Sequence, residues 1–204
     1  WEKNNRLGRK LMITGKGRCN ITNAGSLEEF MQNMPGNGSF LYSAFHQFSN
    51  MALMDLVEKM GVPLKVERGK RVFPQSDKAV DVVDAFSRQL KKLGITVVFQ
   101  KAAQALLCKE GVCIGAVDKN KNCFYGKVII ATGGASYTAT GSTGDGYRLA
   151  RMAGHSIIPL KPSLVPLQTE EKWVADLAGL SLKNVKVTAF CGEKILDSEF
   201  GEML

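Results

Sequence analysis

A glycine-rich, basic stretch near the start of the chain carries the residue types best suited to binding a ligand. Residues 8–23 read GRKLMITGKGRCNITN. The glycines allow the backbone to approach a ligand closely or to adopt positive φ. The amides and the basic side chains offer donors and charge that complement phosphate. From these residues alone, two interpretations stand: a loop wrapped around an anionic cofactor, or a solvated basic turn made flexible by its glycines.

One cysteine in this stretch is a candidate for chemistry. Cys19 follows Arg18 in a loop rich in amide donors, a setting that favours a thiolate and makes the thiol a candidate proton donor. Small buried cysteines, however, commonly serve only in packing, and no second cysteine lies nearby in the sequence. We therefore favour a packing role for Cys19.

The composition argues against several other kinds of site. The chain has five cysteines without C-x-x-C spacing, and their odd number argues against a disulfide scaffold. With only His46 and His155, we expect no zinc or other metal site. The sequence contains no phosphate-binding GxxxxGK[ST], no HExxH and no GxSxG motif. This cysteine usage suits a reduced, cytoplasmic compartment.

The charge balance favours partners that carry phosphate. Lys and Arg number 27 against 19 Asp and Glu, which gives a net charge of +8 at pH 7. A basic surface suits dinucleotides and RNA alike, so the charge does not choose between them. The sequence has no apolar run of the roughly 18 residues that a membrane helix needs, and we expect no membrane association.

The elements that must position these residues begin with helices and one short strand. Ser26 and Glu29 have the spacing of a capping box, which predicts a helix over residues 27–34. The apolar periodicity predicts further elements: helices over residues 39–48, 50–60 and 76–93, and a strand over 63–66. Residues 26–61 are therefore predicted to be a helical insertion.

A series of short apolar runs follows the last of these helices. They occupy residues 95–99, 103–108, 112–117 and 124–130. The polar turns between them predict an antiparallel β-meander over about residues 95–125. The last run is predicted to end in a buried parallel strand that opens on a glycine-rich turn, residues 131–134. Open α/β sheets bind nucleotides at the carboxyl ends of such strands.

The composition of the chain changes in its last quarter. A helix is predicted within residues 141–154, with Asp145 favourably placed at its N-terminus. Residues 159–166 contain three prolines, which exclude regular helix and central strand. We predict a first domain over residues 1–158 and the beginning of a second, β-rich domain over residues 159–204. This second part should contain a short helix near 170–177 and strands near 182–190 and 194–196.

Three blocks of the sequence resemble one family of bacterial flavoproteins. The first block is GKGRCNITN, preceded by EKNNRLGRKL. The second block comprises ATGG at 131–134, GSTGDGYRLARMAGH at 141–155 and PSLVPL at 162–167, and a weaker third block is RVFP at residues 71–74. In these blocks, and in their order along the chain, the sequence resembles the BaiN/RdsA-like FAD-dependent NAD(P) oxidoreductases. The resemblance implies an internal fragment that lacks the family's N-terminal GxGxxG turn and its C-terminal part.

The resemblance also implies a fold. The fold class would be α/β, namely a three-layer FAD/NAD(P)-binding fold of glutathione-reductase type. That fold would carry the antiparallel β-meander and the helical insertion, and it would be followed by the start of a second, β-rich substrate domain.

The family's cofactor contacts transfer to matching positions in this chain. Glu2 would bind the adenosine ribose, Arg9 and Lys10 would lie near the adenosine and pyrophosphate, and the backbone of Ala103 would face adenine. The residues expected along the ribityl chain and isoalloxazine are Thr14, Gly15, Gly17, Arg18, Cys19, Asn20 and Asn23. Those expected to close over the cofactor from the other strand are Ala131, Thr132, Gly133 and Gly134. Arg18 would stabilise the anionic reduced flavin.

The implied activity is hydride transfer from NAD(P)H through FAD to an unsaturated or carbonyl acceptor. The family includes members linked to bile-acid double-bond reduction and to dihydrouridine formation in ribosomal RNA. The acceptor, a small molecule or RNA, therefore stays open, as do the preferred nicotinamide, the catalytic residues and the oligomeric state. The alternative is a basic nucleotide- or RNA-binding module without redox activity. Without the GxGxxG turn, the fragment alone also need not bind FAD.

Overall fold

The computed structural model describes residues 1–34, 36–161 and 168–203. The chain divides into two compact units, Trp1–Ile158 and Pro159–Leu204. The PSLVPL block at residues 162–167, which contains two of the three prolines at the predicted domain crossing, lies outside the described residues.

Five α-helices lie in the described part of the first unit. They are α1 (Leu27–Gln32), α2 (Tyr42–Gln47), α3 (Asn50–Lys59), α4 (Ala79–Lys92) and α5 (Asp145–Met152). The predicted capping box is present at α1, where Ser26 Oγ accepts from the backbone N–H of Glu29 at 3.3 Å and Glu29 accepts from the backbone N–H of Ser26. The helix predicted over residues 39–48 is instead divided into a 3-10 turn, Gly38–Leu41, and α2.

The helix α4 begins three residues later than its apolar periodicity suggests. Asp77 adopts a left-handed conformation with φ of 56°, which reverses the chain just before the helix. Ser76 then donates a hydrogen bond from Oγ to the carboxylate of Asp81 in the first turn at 2.5 Å. The first helical residue is consequently Ala79 rather than Ser76.

A small antiparallel sheet joins the glycine-rich stretch to the region after α3. Its strands are β1 (Thr22–Asn23), β2 (Leu64–Glu67) and β3 (Arg71–Pro74), in the order β1-β3-β2. The main buried core lies beside this sheet and α4, and its members are small or β-branched residues: Cys19, Val57, Val62, Ala79, Val82 and Ala85. The core therefore anchors the end of the glycine-rich stretch to α3 and α4.

A second antiparallel sheet corresponds to the predicted meander. Its strands are β4 (Ala103–Lys109), β5 (Val112–Asp118) and β6 (Cys123–Tyr125), in sequential order. The first predicted run, residues 95–99, is not a strand of this sheet. It pairs with the start of the chain, because Glu2 N–H donates to Val98 O and Gln100 N–H donates to Asn4 O, both at 2.9 Å.

The buried parallel strand predicted before residues 131–134 is absent from the described residues, so this part of the predicted fold is wrong. β6 ends at Tyr125, and residues 127–131 have no regular secondary structure. Ile129 is 90% exposed. An apolar run becomes a buried parallel strand only where neighbouring strands accept its backbone hydrogen bonds. No strand among the described residues pairs with this segment.

The described part of the second unit is a 3-10 helix followed by one hairpin. The 3-10 helix, Lys172–Leu177, occupies the position of a predicted short helix. Strands β7 (Leu182–Cys191) and β8 (Lys194–Met203) pair in antiparallel register. Across the described ranges of both units, no helix combines the length and apolar character needed to cross a membrane.

Candidate functional site

The first unit contains a cavity of about 590 Å³ beside the start of the chain. Its walls come from residues 1–4, 8–11, 101–103, 124–133 and 140–142, together with Asp145 and Leu149 of α5. Seven of the predicted cofactor-binding residues line it: Glu2, Arg9, Lys10, Ala103, Ala131, Thr132 and Gly133. The structure thus brings together residues that lie up to 131 positions apart in the sequence.

The carboxylate of Glu2 is fixed in place by its neighbour Asn4. Asn4 donates to Glu2 Oε1 from its backbone N–H at 2.7 Å and from its side-chain Nδ2 at 2.8 Å. Nδ2 also donates to the carbonyl of Thr140 at 3.1 Å, and Asn4 Oδ1 accepts from Arg9 at 3.0 Å. One amide therefore joins the carboxylate, a guanidinium and the turn before α5.

A close backbone approach explains a glycine in that turn. Gly141 adopts a positive φ of 100°, and a Cβ placed there would lie 2.7 Å from Asn4 Nδ2. Any side chain at this position would displace the Asn4 amide, since real Cβ contacts are longer than this. The position of Glu2 thus depends on a residue far along the chain.

Basic side chains surround the cavity, and Lys10 and Lys3, like Arg9, have protein partners. Lys10 Nζ donates to Ser136 Oγ at 3.0 Å and lies 4.3 Å from the centre of the Tyr137 ring. Lys3 Nζ donates to Asp145 Oδ2 at 2.6 Å. This hydrogen bond is the main reason why the pKa of Asp145 is lowered from its ordinary value. The cation keeps Asp145 ionised at the N-terminus of α5, where the helix dipole also favours negative charge.

The glycine-rich turn after residue 131 packs directly on the start of α5. Gly133 has a positive φ of 73°, and Gly134 O accepts from the backbone N–H of Gly144 at 3.1 Å. A Cβ on Gly146 would lie 2.7 Å from Thr132 Oγ1, so only glycine fits this first turn of the helix. The TGDG sequence at residues 143–146 therefore shapes the cavity wall by close packing.

One arginine connects α5 to the second sheet. Arg148 donates from Nη2 to Ala103 O at 3.0 Å and from Nη1 to Gln104 O. Because these carbonyls lie at the start of β4, the arginine holds the beginning of the meander against α5 beside the cavity. The carbonyl of Ala103 is therefore already engaged.

The profile of the HI0933-like protein Rossmann domain matches residues 1–200 of the chain. The chain belongs to the HI0933-like family. This confirms the resemblance to the BaiN/RdsA-like proteins. It also confirms the coarser fold prediction, a Rossmann-like domain with α/β content and small antiparallel sheets.

Curated relatives of this HI0933-like chain have two kinds of name. It is 31% identical over 206 residues to the 3-dehydro-bile acid delta(4,6)-reductase of Clostridium scindens, covering 99% of the chain and 48% of that relative. It is 28% identical over 199 residues to the ribosomal RNA dihydrouridine synthase of Haemophilus influenzae, covering 95% and 48%. The corresponding Escherichia coli enzyme is 28% identical over 182 residues, covering 87% and 44%. The chain spans about half the length of these relatives.

Most of the glycine-rich stretch lies outside the cavity of this HI0933-like chain. The predicted residues that do not line it are Thr14, Gly15, Gly17, Arg18, Cys19, Asn20, Asn23 and Gly134. Thr14 donates from Oγ1 to Leu11 O, and Asn23 donates from Nδ2 to Gly69 O. The amide of Asn20 lies beside the carbonyls of Val72 and Thr22. Their polar groups are thus engaged in holding the loop itself.

Arg18 and Cys19 both make contacts within the protein. Arg18 donates to Glu67 at 2.8 Å, pairs with Asp77 at 3.3 Å and lies 4.0 Å from the centre of the Phe73 ring. The hydrogen bond to Glu67 is the main cause that raises the pKa of Arg18. Cys19 is fully buried, and burial raises the pKa of its thiol. A raised pKa disfavours the thiolate, in agreement with a packing role.

Sequence reasoning missed several polar residues of the cavity of the HI0933-like chain. Among them are Lys3, Asn4 and Lys101. Lys101 pairs with the buried carboxylate of Asp118 and lies 5.5 Å from the centre of the Trp1 ring. Nothing in the spacing of these residues distinguishes them from surface residues. The only signal in the sequence is that each lies within two positions of Glu2 or Ala103. Among the described residues, no cluster of three or more His, Cys, Asp or Glu is arranged to hold a metal ion.

Proposed function

We propose that the whole protein is a flavoprotein oxidoreductase that uses FAD to transfer a hydride from NAD(P)H to an unsaturated or carbonyl acceptor. The observation that carries this proposal is the fixed carboxylate of Glu2 in a basic cavity bordered by the 131–134 turn. We place the reaction in the cytoplasm, in keeping with five free cysteines.

The residues present fit the adenosine half of a dinucleotide. Asn4 donates to Oε1 of Glu2 from both its backbone N–H and its Nδ2, and this arrangement presents the carboxylate for a ribose diol. Arg9 and Lys10 supply positive charge for the pyrophosphate. A volume of about 590 Å³ is in the usual range for cofactor sites.

The chain's own residues would bind and orient the cofactor. Glu2 would hold the ribose, Arg9 and Lys10 the pyrophosphate, and the backbone of residues 131–133 would approach the cofactor closely because Gly133 has no side chain. FAD, when bound, supplies the two-electron chemistry. The predicted cofactor contacts of Thr14, Gly15, Gly17, Arg18, Cys19, Asn20, Asn23 and Gly134 stay predictions, since these residues lie outside the cavity.

We further propose that the complete domain has the three-layer fold of glutathione-reductase type. The three-stranded meander β4-β5-β6 and the pairing of residues 2–4 with 98–101 support this proposal. In such a fold, a neighbouring parallel strand would cover the apolar residues 128–131.

The choice of acceptor rests on the relatives. One is a reductase of 3-dehydro-bile acids and two are ribosomal RNA dihydrouridine synthases. We propose that the acceptor of this protein is of one of these two kinds, a small unsaturated molecule or RNA. The net charge of +8 is compatible with RNA, whose binding would weaken steeply with added salt.

An absorbance scan of the purified whole protein tests the redox proposal. We expect flavin bands between about 300 and 550 nm, release of FAD on denaturation, and anaerobic bleaching by NADH or NADPH. Comparison of the two nicotinamides also identifies the preferred donor. A colourless protein that takes up no added FAD would contradict the proposal.

The alternative function is a basic nucleotide- or RNA-binding module without redox activity. The excess of 27 Lys and Arg over 19 Asp and Glu favours it. Salt-sensitive binding of ribosomal RNA by a protein without flavin would support this alternative. The same binding by a flavin-containing protein would instead identify RNA as the acceptor.

A further inference from the structure

Two exposed cysteines face each other across the β4–β5 hairpin. Cys108 and Cys113 are partners in the antiparallel register, and both are free thiols. Directly opposite residues in such a sheet have Cα atoms about 4.5–5.5 Å apart and side chains on the same face. A disulfide spans Cα separations of about 4.4–6.8 Å. The register thus gives the two Cα atoms a separation that a disulfide can span without movement of the backbone.

The turn of the hairpin maintains this register. Glu110 and Gly111 both have positive φ, 51° and 79°, as a two-residue turn requires. They connect Lys109 to its partner Val112, and the cysteines form the next pair along the ladder. Such a turn matches the twist of the strands and determines which residues are opposite. Cys108 and Cys113 are therefore held together by local geometry.

We propose that Cys108 and Cys113 form a reversible dithiol–disulfide pair that is oxidised by low-molecular-weight disulfides such as oxidised glutathione. One protein thiolate attacks glutathione disulfide, which forms a mixed disulfide and releases one glutathione. The second thiolate attacks the protein sulfur of that mixed disulfide and releases the second glutathione. The two protein thiols lose two electrons and two protons in total, and these reduce the glutathione disulfide to two thiols.

Exposure and ring size make this pair reversible rather than structural. Both cysteines are exposed, so thiols and disulfides in solution reach them directly. The bond would enclose only four residues, 109–112, and so would remove little entropy from the unfolded chain. Exposed disulfides of this kind are readily reduced.

The other three cysteines of the chain lack this arrangement. Cys123 is opposite Val117 in the second sheet, and Cys191 is opposite Lys194 in the hairpin of the second unit. Cys19 is buried. Cys123 and Cys191 are therefore exposed controls that share the chemistry but have no opposing thiol in their strand register.

Mass spectrometry of the whole protein tests the pair. The reduced protein is equilibrated with mixtures of reduced and oxidised glutathione, blocked with N-ethylmaleimide and digested with trypsin, which cleaves after Lys109 between the two cysteines. We expect the peptides of residues 102–109 and 110–119 to become joined by a disulfide that dithiothreitol reverses. Over the same range, Cys123 and Cys191 should carry only maleimide or glutathione.

The substitutions C113S and C108S separate this proposal from ordinary surface oxidation. In C113S, the glutathione adduct on Cys108 should change from a trace to the main oxidised form, because the second thiolate is missing. The C123S and C191S variants should retain the joined peptides. The proposal is overturned if wild-type Cys108 and Cys113 accumulate glutathione adducts to the same extent as Cys123. Because both cysteines are exposed, loss of folding in the serine variants is not expected, and circular dichroism checks this.

Discussion

Asn4 is the side chain on which the geometry of the candidate site depends most directly. Its amide bonds the carboxylate of Glu2, the guanidinium of Arg9 and the carbonyl of Thr140 at once. Hydrogen bonds to charged groups contribute more than those between neutral groups. Asn4 is thus a positioning residue for Glu2 within the proposed cofactor site.

Replacing Asn4 should weaken the binding of FAD selectively. In the whole protein, Asn4→Leu removes the side-chain hydrogen bonds to Glu2 and Arg9, and we expect the Kd for FAD to rise by about tenfold. The Kd for FMN, which has no adenosine, should change little. Fluorescence titration of the apoprotein measures both. Asn5→Leu is the matched control, since Asn5 is exposed and does not line the cavity. Equal loss of FAD and FMN affinity would contradict a role at the ribose.

Gly15 illustrates a residue whose type is required by packing. It adopts a φ of 57°, and a Cβ there would lie 2.7 Å from a ring carbon of Phe73. We expect Gly15→Ala to lower the free energy of unfolding by about 3 kcal/mol, from backbone strain and overpacking together. Gly61→Ala is the control, because Gly61 also has positive φ but meets nothing within 4 Å. It should cost about 1 kcal/mol. Equal losses in urea unfolding would show that the contact with Phe73 does not matter.

At the scale of elements, α4 joins the glycine-rich stretch to the core. Its buried face carries Ala79, Val82 and Ala85, which pack in the same cluster as Cys19. Gly8 also contacts this helix closely, because a Cβ there would lie 2.6 Å from a methyl carbon of Val83. The position of α4 therefore determines where the loop before Cys19 runs.

Truncation of the buried valine of α4 should destabilise the first unit. Val82 is 1% exposed, and Val82→Ala should lower the free energy of unfolding by about 2 kcal/mol, since methyl groups are lost and a cavity is left. Val80→Ala on the same helix is the control, because Val80 is 41% exposed. Alanine favours helix equally at both positions. A loss no larger at Val82 than at Val80 in urea unfolding would contradict the assigned core.

At the scale of the whole molecule, hydrogen bonds and ion pairs lower the pKa values of several carboxyl groups in the folded state. Among the described residues, the carboxyl groups with lowered pKa values are Glu28, Glu29, Glu67, Asp77, Asp118 and Asp145. The lowering at Asp118 is caused first by Lys101 and then by Asn122. The folded state thus favours the ionised carboxylates.

Stability should therefore fall in acid. A carboxyl group with a lowered pKa in the folded state contributes stability above its unfolded pKa, about 4, and this contribution is lost as the pH falls toward the folded pKa. We expect the thermal midpoint to be nearly constant from about pH 7 to 5 and to fall steadily below about pH 4. Thermal unfolding followed by circular dichroism measures this.

The variant Asp118→Asn isolates one of these groups. It should be less stable than the wild type at pH 7. The difference should shrink as the pH falls below about 4, because the carboxyl of Asp118 then takes up a proton in the unfolded chain while it stays ionised in the folded one. Asp55→Asn is the control, because Asp55 is exposed on α3 and has no ion pair within the described ranges. A pH-independent difference for Asp118→Asn would mean that its effect is not electrostatic.

The sequence by itself determined part of the local structure of this protein. The capping box at Ser26 and Glu29 and the apolar period of α4 depend on residues within one or two helical turns, so they can be identified without knowledge of the fold. The sequence blocks also identified the family, which the match over residues 1–200 confirmed. The expected ribose residue, Glu2, could be selected only through that resemblance.

Only the tertiary structure decided which of these residues lie together. Asn4 meets Thr140, Arg148 meets Ala103, and residues 127–131 remain unpaired within the described chain. These outcomes depend on contacts between residues distant in sequence, which composition and periodicity do not encode. The same holds for Cys108 and Cys113, whose spacing matches no cysteine motif. Strand register places them opposite each other, because the two-residue turn fixes the first two pairs of the hairpin.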